Sequence, residues 1–110
     1  MCDYDVEQVR ELNDLSRSSM SGCRVVITRG VAALPAQQVR EILQAVRVFD
    51  QFNSSNDPYG EHDFGAITVQ GNSIFWRFDY YDLDLVMRSP DPADPAVTLR
   101  VLTVMLAEEY

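Results

Sequence analysis

Apolar residues recur every third position over residues 5–18, where Val6, Val9, Leu12 and Leu15 form one narrow stripe and predict a first helix. Asp5 stands where an N-cap belongs, with Gln8 as a box-like partner, and Tyr4 and Val9 are spaced for a hydrophobic staple. Serines and Gly22 end that helix. The run Cys23-Arg24-Val25-Val26-Ile27-Thr28 is rich in β-branched residues and apolar on both faces, which predicts an inner strand with Cys23 as a buried free thiol. Gly30 and Pro35 bound a short connection, and Pro35 suits a first helical turn. Val39, Ile42, Leu43, Val46 and Phe49 then share one face of a second helix that runs to about residue 52.

Residues 53–65 break the periodicity. This is a long loop for a small domain, and its aromatics, acids and single histidine argue for order, with packing by Tyr59 and Phe64 and a partly buried His62. Alternation returns over 66–80 as a hairpin turning at Gly71-Asn72, which pairs Val69 with Ile74 and Ile67 with Trp76 on the core side. On the other side that register pairs Thr68 with Phe75 and Ala66 with Arg77, and places Arg77 and Asp79 for an ion pair. Residues 81–94 form an acidic loop. Asp94-Pro95 reads as a cap and first helical residue, and Val97, Leu99, Val101, Leu102, Val104, Met105 and Leu106 cover most of the circumference of a last helix, 97–109. A helix apolar nearly all round is central or packed on a second chain, so a homodimer with Leu99, Leu102 and Leu106 near its interface is expected.

The order α-β-α-β-β-α predicts an α+β fold: one small two-layer domain over residues 1–110, with helices packed on an antiparallel three-stranded sheet. The chain length of 110 residues suits one core.

Charge narrows the function. The net charge is −8, from seventeen acids and nine basic residues, all arginine. Without lysine, Schiff-base and carbamate chemistry is excluded. Residues 1–47 hold six arginines and six acids, whereas residues 48–110 hold three arginines and eleven acids. Such a surface is repelled by phosphate backbones and anionic membranes, and suits a protein partner with a basic surface. Cys2 and Cys23 make no disulfide framework, and the acidic start Met1-Cys2-Asp3-Tyr4-Asp5, with a frayed Cys2, has no apolar region of a signal peptide. No run is long enough to span a bilayer. A cytoplasmic protein is expected.

The strings RVVITRGVAALP, NDPYGEHDFG, FWRFDYYD and SPDPADPAVTLRVLTVMLAEEY resemble a bacterial family, domain of unknown function 3768, over about residues 12–110. The resemblance implies a short, stand-alone protein of plasmid- or phage-derived regions. It carries over no activity, cofactor or site residue, but a mobile-element setting suggests action on a host or rival system.

Two constellations could carry function. In Asp57-Pro58-Tyr59-Gly60-Glu61-His62-Asp63, a histidine between carboxylates could act as a base with Asp63, or hold a metal with Asp63 and Asp79. The spacing matches no zinc or calcium motif, and a structural role for His62 and Asp63 is the simpler account. The acids Asp57, Glu61, Asp79, Asp82, Asp84 and Asp91 could instead face a basic partner, in the manner of an anti-CRISPR inhibitor of a nucleic-acid-handling complex. There is no glycine-rich phosphate loop or nucleophile elbow, and no cofactor is expected. An acidic interaction module rather than an enzyme is the reading these features favour, with a metal-dependent enzyme centred on His62 and Asp63 as the alternative.

Overall fold

The side chain of Asp5 accepts a hydrogen bond from the Gln8 amide and starts the first helix, α1 (Val6–Ser19), as the capping pattern predicts. A computed structural model describes residues 4–110; Cys2 lies outside them. After α1 come strand β1 (Arg24–Ile27), a short helix α2 (Arg29–Ala32), helix α3 (Ala36–Arg47) and strands β2 (Phe64–Val69), β3 (Asn72–Tyr81) and β4 (Leu99–Leu106). A 3₁₀ turn, Ala107–Glu109, closes the chain. Glu109 accepts hydrogen bonds from the Thr28 hydroxyl and from the amides of Leu106 and Gly30, which tie this turn to the start of α2.

The α+β class is as expected, but the sheet has four strands, in the order β1-β4-β3-β2, and it is mixed. β1 runs parallel to β4, while β4 with β3 and β3 with β2 are antiparallel. Inward residues of β3 (Ile74, Trp76, Phe78, Tyr80) and β4 (Leu102, Val104) meet Val9, Val31, Ile42 and Val46 of the helices in one core. Phe75, Arg77, Asp79 and Tyr81 alternate to the other face, where Arg77 pairs with Asp79 at 3.1 Å and Tyr110 packs edge-on against Phe64 and Phe75.

The largest correction concerns residues 97–109, which are strand and turn rather than helix. β4 lies between β1 and β3, so both of its faces need cover, and an apolar circumference serves a central strand as well as a buried helix. The β-branched residues Val97, Thr98, Val101, Thr103 and Val104 favour the strand. Asp94 makes a turn instead of a helix cap, accepting from the Ala96 amide through its side chain and from the Val97 amide through its carbonyl. The helix that motivated the homodimer is therefore not formed, and Leu102 is fully buried within one chain. β1 is an edge strand, not an inner one, with Val26 and Ile27 exposed and Cys23 only half-buried.

The α1 stripe is also corrected. Each three-residue step on a helix falls short of a full turn by about 60°, so Leu15 lies roughly half a turn from Val6. The buried positions are Val9, Asn13, Ser16 and Arg17, while Leu15 is exposed. Helix α3 stops at Arg47 because Arg17 reaches over from α1, its Nη1 donating to the carbonyls of Val46, Arg47 and Phe49.

The hairpin turns at Gln70-Gly71, both with positive φ, one residue before the expected turn. Ile67 therefore pairs with Ile74 and Gly65 with Trp76, a two-residue shift that keeps every side chain on its expected face. Gly65 leaves space for the indole: a Cβ there would lie 2.6 Å from Trp76 Cε2. We expect Gly65→Ala to cost about 1–3 kcal/mol of stability by urea denaturation, because an overpacked core cannot relax freely. An unchanged midpoint would show that the indole can move aside.

Candidate functional site

The loop 48–63 leaves α3, crosses to α1 and returns to the sheet at β2. Its first turn is built from asparagines: Asn53 Oδ1 accepts from the amides of Ser55 and Asn56, while Asn56 donates to the Gln51 carbonyl. Asp57 follows, its amide bonded to the Asn53 carbonyl and its Oδ1 accepting from the His62 amide. Gly60 and His62 both take left-handed backbone, at φ 72° and 54°, and turn the chain back toward α1. Arg10 Nη1 donates to the Gly60 carbonyl from α1.

His62 is held on three sides. Its Nδ1 lies 2.9 Å from Asp14 Oδ1, its Nε2 lies 3.6 Å from Asp57 Oδ2, and its ring stacks on Phe52 with centroids 3.7 Å apart. Asp14 also accepts from Arg17 at 3.2 Å, and the Arg17 guanidinium lies over Phe52 and Trp76. Phe52, not Tyr59, is therefore the aromatic that packs this loop; Tyr59 is exposed. His62 is partly buried, as expected.

Next to it lies a second, deeper network. Glu61 is buried, its carboxylate accepting from the hydroxyls of Tyr4 at 2.6 Å and Tyr80 at 2.9 Å. Asn13 donates through Nδ2 to the Glu61 carbonyl and the Tyr80 hydroxyl, and accepts through Oδ1 from Arg100 Nε. Arg100 is buried, donates through Nη2 to the Pro92 carbonyl and lies over the Tyr80 ring. Burial pushes the Tyr80 phenol far above its ordinary value, the Asn13 hydrogen bond opposes this, and the Glu61 carboxylate adds to it. Burial likewise holds the Arg100 guanidinium below its usual value, opposed by Tyr80, Cys23 and Glu61.

This chain belongs to the family described as Protein of unknown function (DUF3768), whose model matches residues 27–109. Within the family span stand Glu61, His62, Tyr80 and Arg100; ahead of it, their partners Asn13 and Asp14 come from α1 and Tyr4 from the residues just before that helix. No curated protein and no solved structure matches the chain.

The sequence-derived candidates separate into two groups. Asp57 and Glu61 face inward and are spent on His62, Tyr4 and Tyr80, so they are withdrawn from a partner-facing surface. Asp82 and Asp91 accept backbone amides of their own loop, from Val86 and Ala93, and Asp84 is exposed. His62 turns to Asp14 and Asp57 instead of joining Asp63 and Asp79, and among the described residues no three His, Cys, Asp or Glu side chains converge to hold a metal. Asp63 instead meets other carboxylates: burial and the charges of Glu61, Asp57 and Asp79 push its carboxyl above the usual range, against a backbone hydrogen bond. Asn13, Arg17 and Arg100 escaped the sequence reading. Their signal was an arginine inside an apolar strand, and polar residues on the helix face that Val9 begins.

Both networks fix the loop to α1 and the sheet. Asn13→Ala leaves Arg100, Tyr80 and the Glu61 carbonyl short of partners in the interior, and we expect a loss of about 3 kcal/mol in chemical denaturation. Leu15→Ala, on the exposed side of the same helix, should cost less than about 0.5 kcal/mol. Asp63→Asn should raise Tm at pH 7. The raised carboxyl disfavours the fold when ionised, and that penalty vanishes once the acid is protonated in both states, so the gain should disappear near about pH 3.

Proposed function

We propose that this protein acts by docking onto another protein, with residues 82–88 as the docking element. Four apolar side chains carry this reading: Leu83, Leu85, Val86 and Met87 are 62, 40, 77 and 68% exposed on one short turn. Contiguous exposed apolar surface of this kind marks interaction sites. The turn is fixed rather than slack. The Asp82 amide donates to the Met87 carbonyl at 2.8 Å, and the Leu85 amide to the Asp82 carbonyl at 3.1 Å. Asp82 Oδ1 takes the Val86 amide, and Tyr81 bridges Arg88 at the base. Leu85 adopts φ 58°, where glycine or asparagine would be easier, so the leucine stands there at a backbone cost of about 1 kcal/mol or more.

Asp82 and Asp84 interleave with these apolar side chains, Arg88 closes the element, and the chain as a whole carries a net charge of −8. The complementary partner is an apolar pocket with a basic rim: burial supplies affinity and charge supplies the on-rate. An inhibitor that covers the basic groove of a nucleic-acid-handling complex, of the anti-CRISPR kind, is the specific form this charge favours. The enzyme reading gains no support from His62, whose two ring nitrogens already face Asp14 and Asp57.

A photo-crosslinking residue at position 86 should capture one discrete protein in cells, and the same residue at Glu7 should not. Val86→Ser with Met87→Ser should abolish capture while Tm stays within a few degrees, as exposed positions allow. Asp84→Arg, at an exposed position that holds none of the turn's hydrogen bonds, should slow association with that protein several-fold at low salt, and less at high salt. Capture indifferent to all of these substitutions would remove 82–88 from the account.

A further inference from the structure

A cleft of about 310 Å³ lies between the C-terminal half of α1 and residues 95–100. Its floor includes Arg100 and Ser16, which are 3 and 5% exposed. Arg100 spends Nε on Asn13 and Nη2 on the Pro92 carbonyl, leaving Nη1 without a hydrogen bond yet not sealed from solvent. Ser16 Oγ is in the same state: it makes no hydrogen bond, and Gly22 leaves room beside it. No aspartate or glutamate lines the cleft, and no carboxylate forms an ion pair with Arg100 among the described residues. Leu12, Leu15 and Pro95 give the walls an apolar part; the other hydroxyls at the cleft, of Ser19, Ser21 and Thr98, are already engaged with Leu15, with each other, or with Ser89 and Asp91.

A buried cation with one free donor, beside a free hydroxyl and an apolar wall, has no carboxylate in direct contact, Glu61 reaching it only through Tyr80 and Asn13. We propose that this cleft binds a small organic monocarboxylate, one oxygen on Arg100 Nη1, the other on Ser16 Oγ, and the apolar part against Leu12, Leu15 and Pro95. One free guanidinium nitrogen and one hydroxyl match two carboxylate oxygens, whereas a phosphate dianion brings more acceptors than the floor has donors. The chain's negative field also penalises a second charge on the ligand. The cleft volume sits at the small end of the range for ligand pockets. Pairing would offset part of the cost of holding a guanidinium away from water. This site is separate from residues 82–88 and stands whether or not those residues dock.

Benzoate is the probe, with benzamide as its uncharged isostere and inorganic phosphate as the competing anion. The expected result is a saturable amide shift on benzoate titration, confined to residues 12–22 and 95–100, with none from benzamide or phosphate. Arg100→Gln removes the cation but also disturbs Asn13 and Pro92, so exposed Leu15 supplies the decisive variants. Leu15→Glu should weaken benzoate at least tenfold by placing a like charge on the rim, Leu15→Lys should not, and Ser16→Ala should weaken it several-fold. Absence of benzoate shifts, equal binding of benzamide, saturation by phosphate alone, or a Leu15→Glu affinity equal to wild type would each overturn the proposal.

Discussion

Asn13 is the point at which α1, the 48–63 loop and the sheet are tied together. One amide side chain donates to the Glu61 carbonyl and the Tyr80 hydroxyl and accepts from Arg100, so three elements lose a partner if it is removed. Glu61 and Arg100 carry opposite charges within this network, linked through Tyr80 and Asn13 rather than by direct contact. A buried network of this kind adds little net stability over an apolar core of equal shape, but it tolerates few alternative arrangements, because each leaves a polar group unpaired. The loop has few apolar anchors of its own, Phe52 beneath His62 being the clearest, so its shape depends on these hydrogen bonds.

The same logic explains what was legible in the sequence. The Asp5 cap, α3, the hairpin and the faces of its strands follow from local patterns, and local patterns are what periodicity reports. The hairpin register was displaced by two because Gln70 accepts positive φ without being glycine, and turn chemistry alone did not reveal that. β4 was misread because a central strand and a buried helix carry the same continuous apolar signal, and only the sheet order distinguishes them. The inward face of α1 was missed because it is largely polar: Asn13 and Arg17 are buried against polar groups 29 or more positions away in the chain, and Ser16 is buried beside them. The His62 loop was singled out for its chemistry, and its order and partial burial were foreseen, but its partners Asp14 and Phe52 were not.

What results is a small body whose 82–88 turn is held by its own hydrogen bonds. Asp57, Glu61 and His62 of the loop are turned inward and engaged, whereas the apolar side chains of 82–88 are turned outward. The negative charge of a folded acidic surface costs stability through self-repulsion, and in the docking role we propose it speeds the approach to a basic partner. Rigidity matters for that role, since a preorganised docking element loses less entropy on binding than a mobile one.

Native-state hydrogen exchange tests the central claim, that the polar network makes the loop and α1 one cooperative unit. The amides of Asp57, Gly60 and His62 are hydrogen-bonded within the loop, and that of Val9 within α1. The account predicts that the three loop amides open with the same free energy as Val9 and respond to denaturant with the same slope, as members of one unit do. Loop amides that exchange at far lower free energy, while Val9 stays protected, would contradict it.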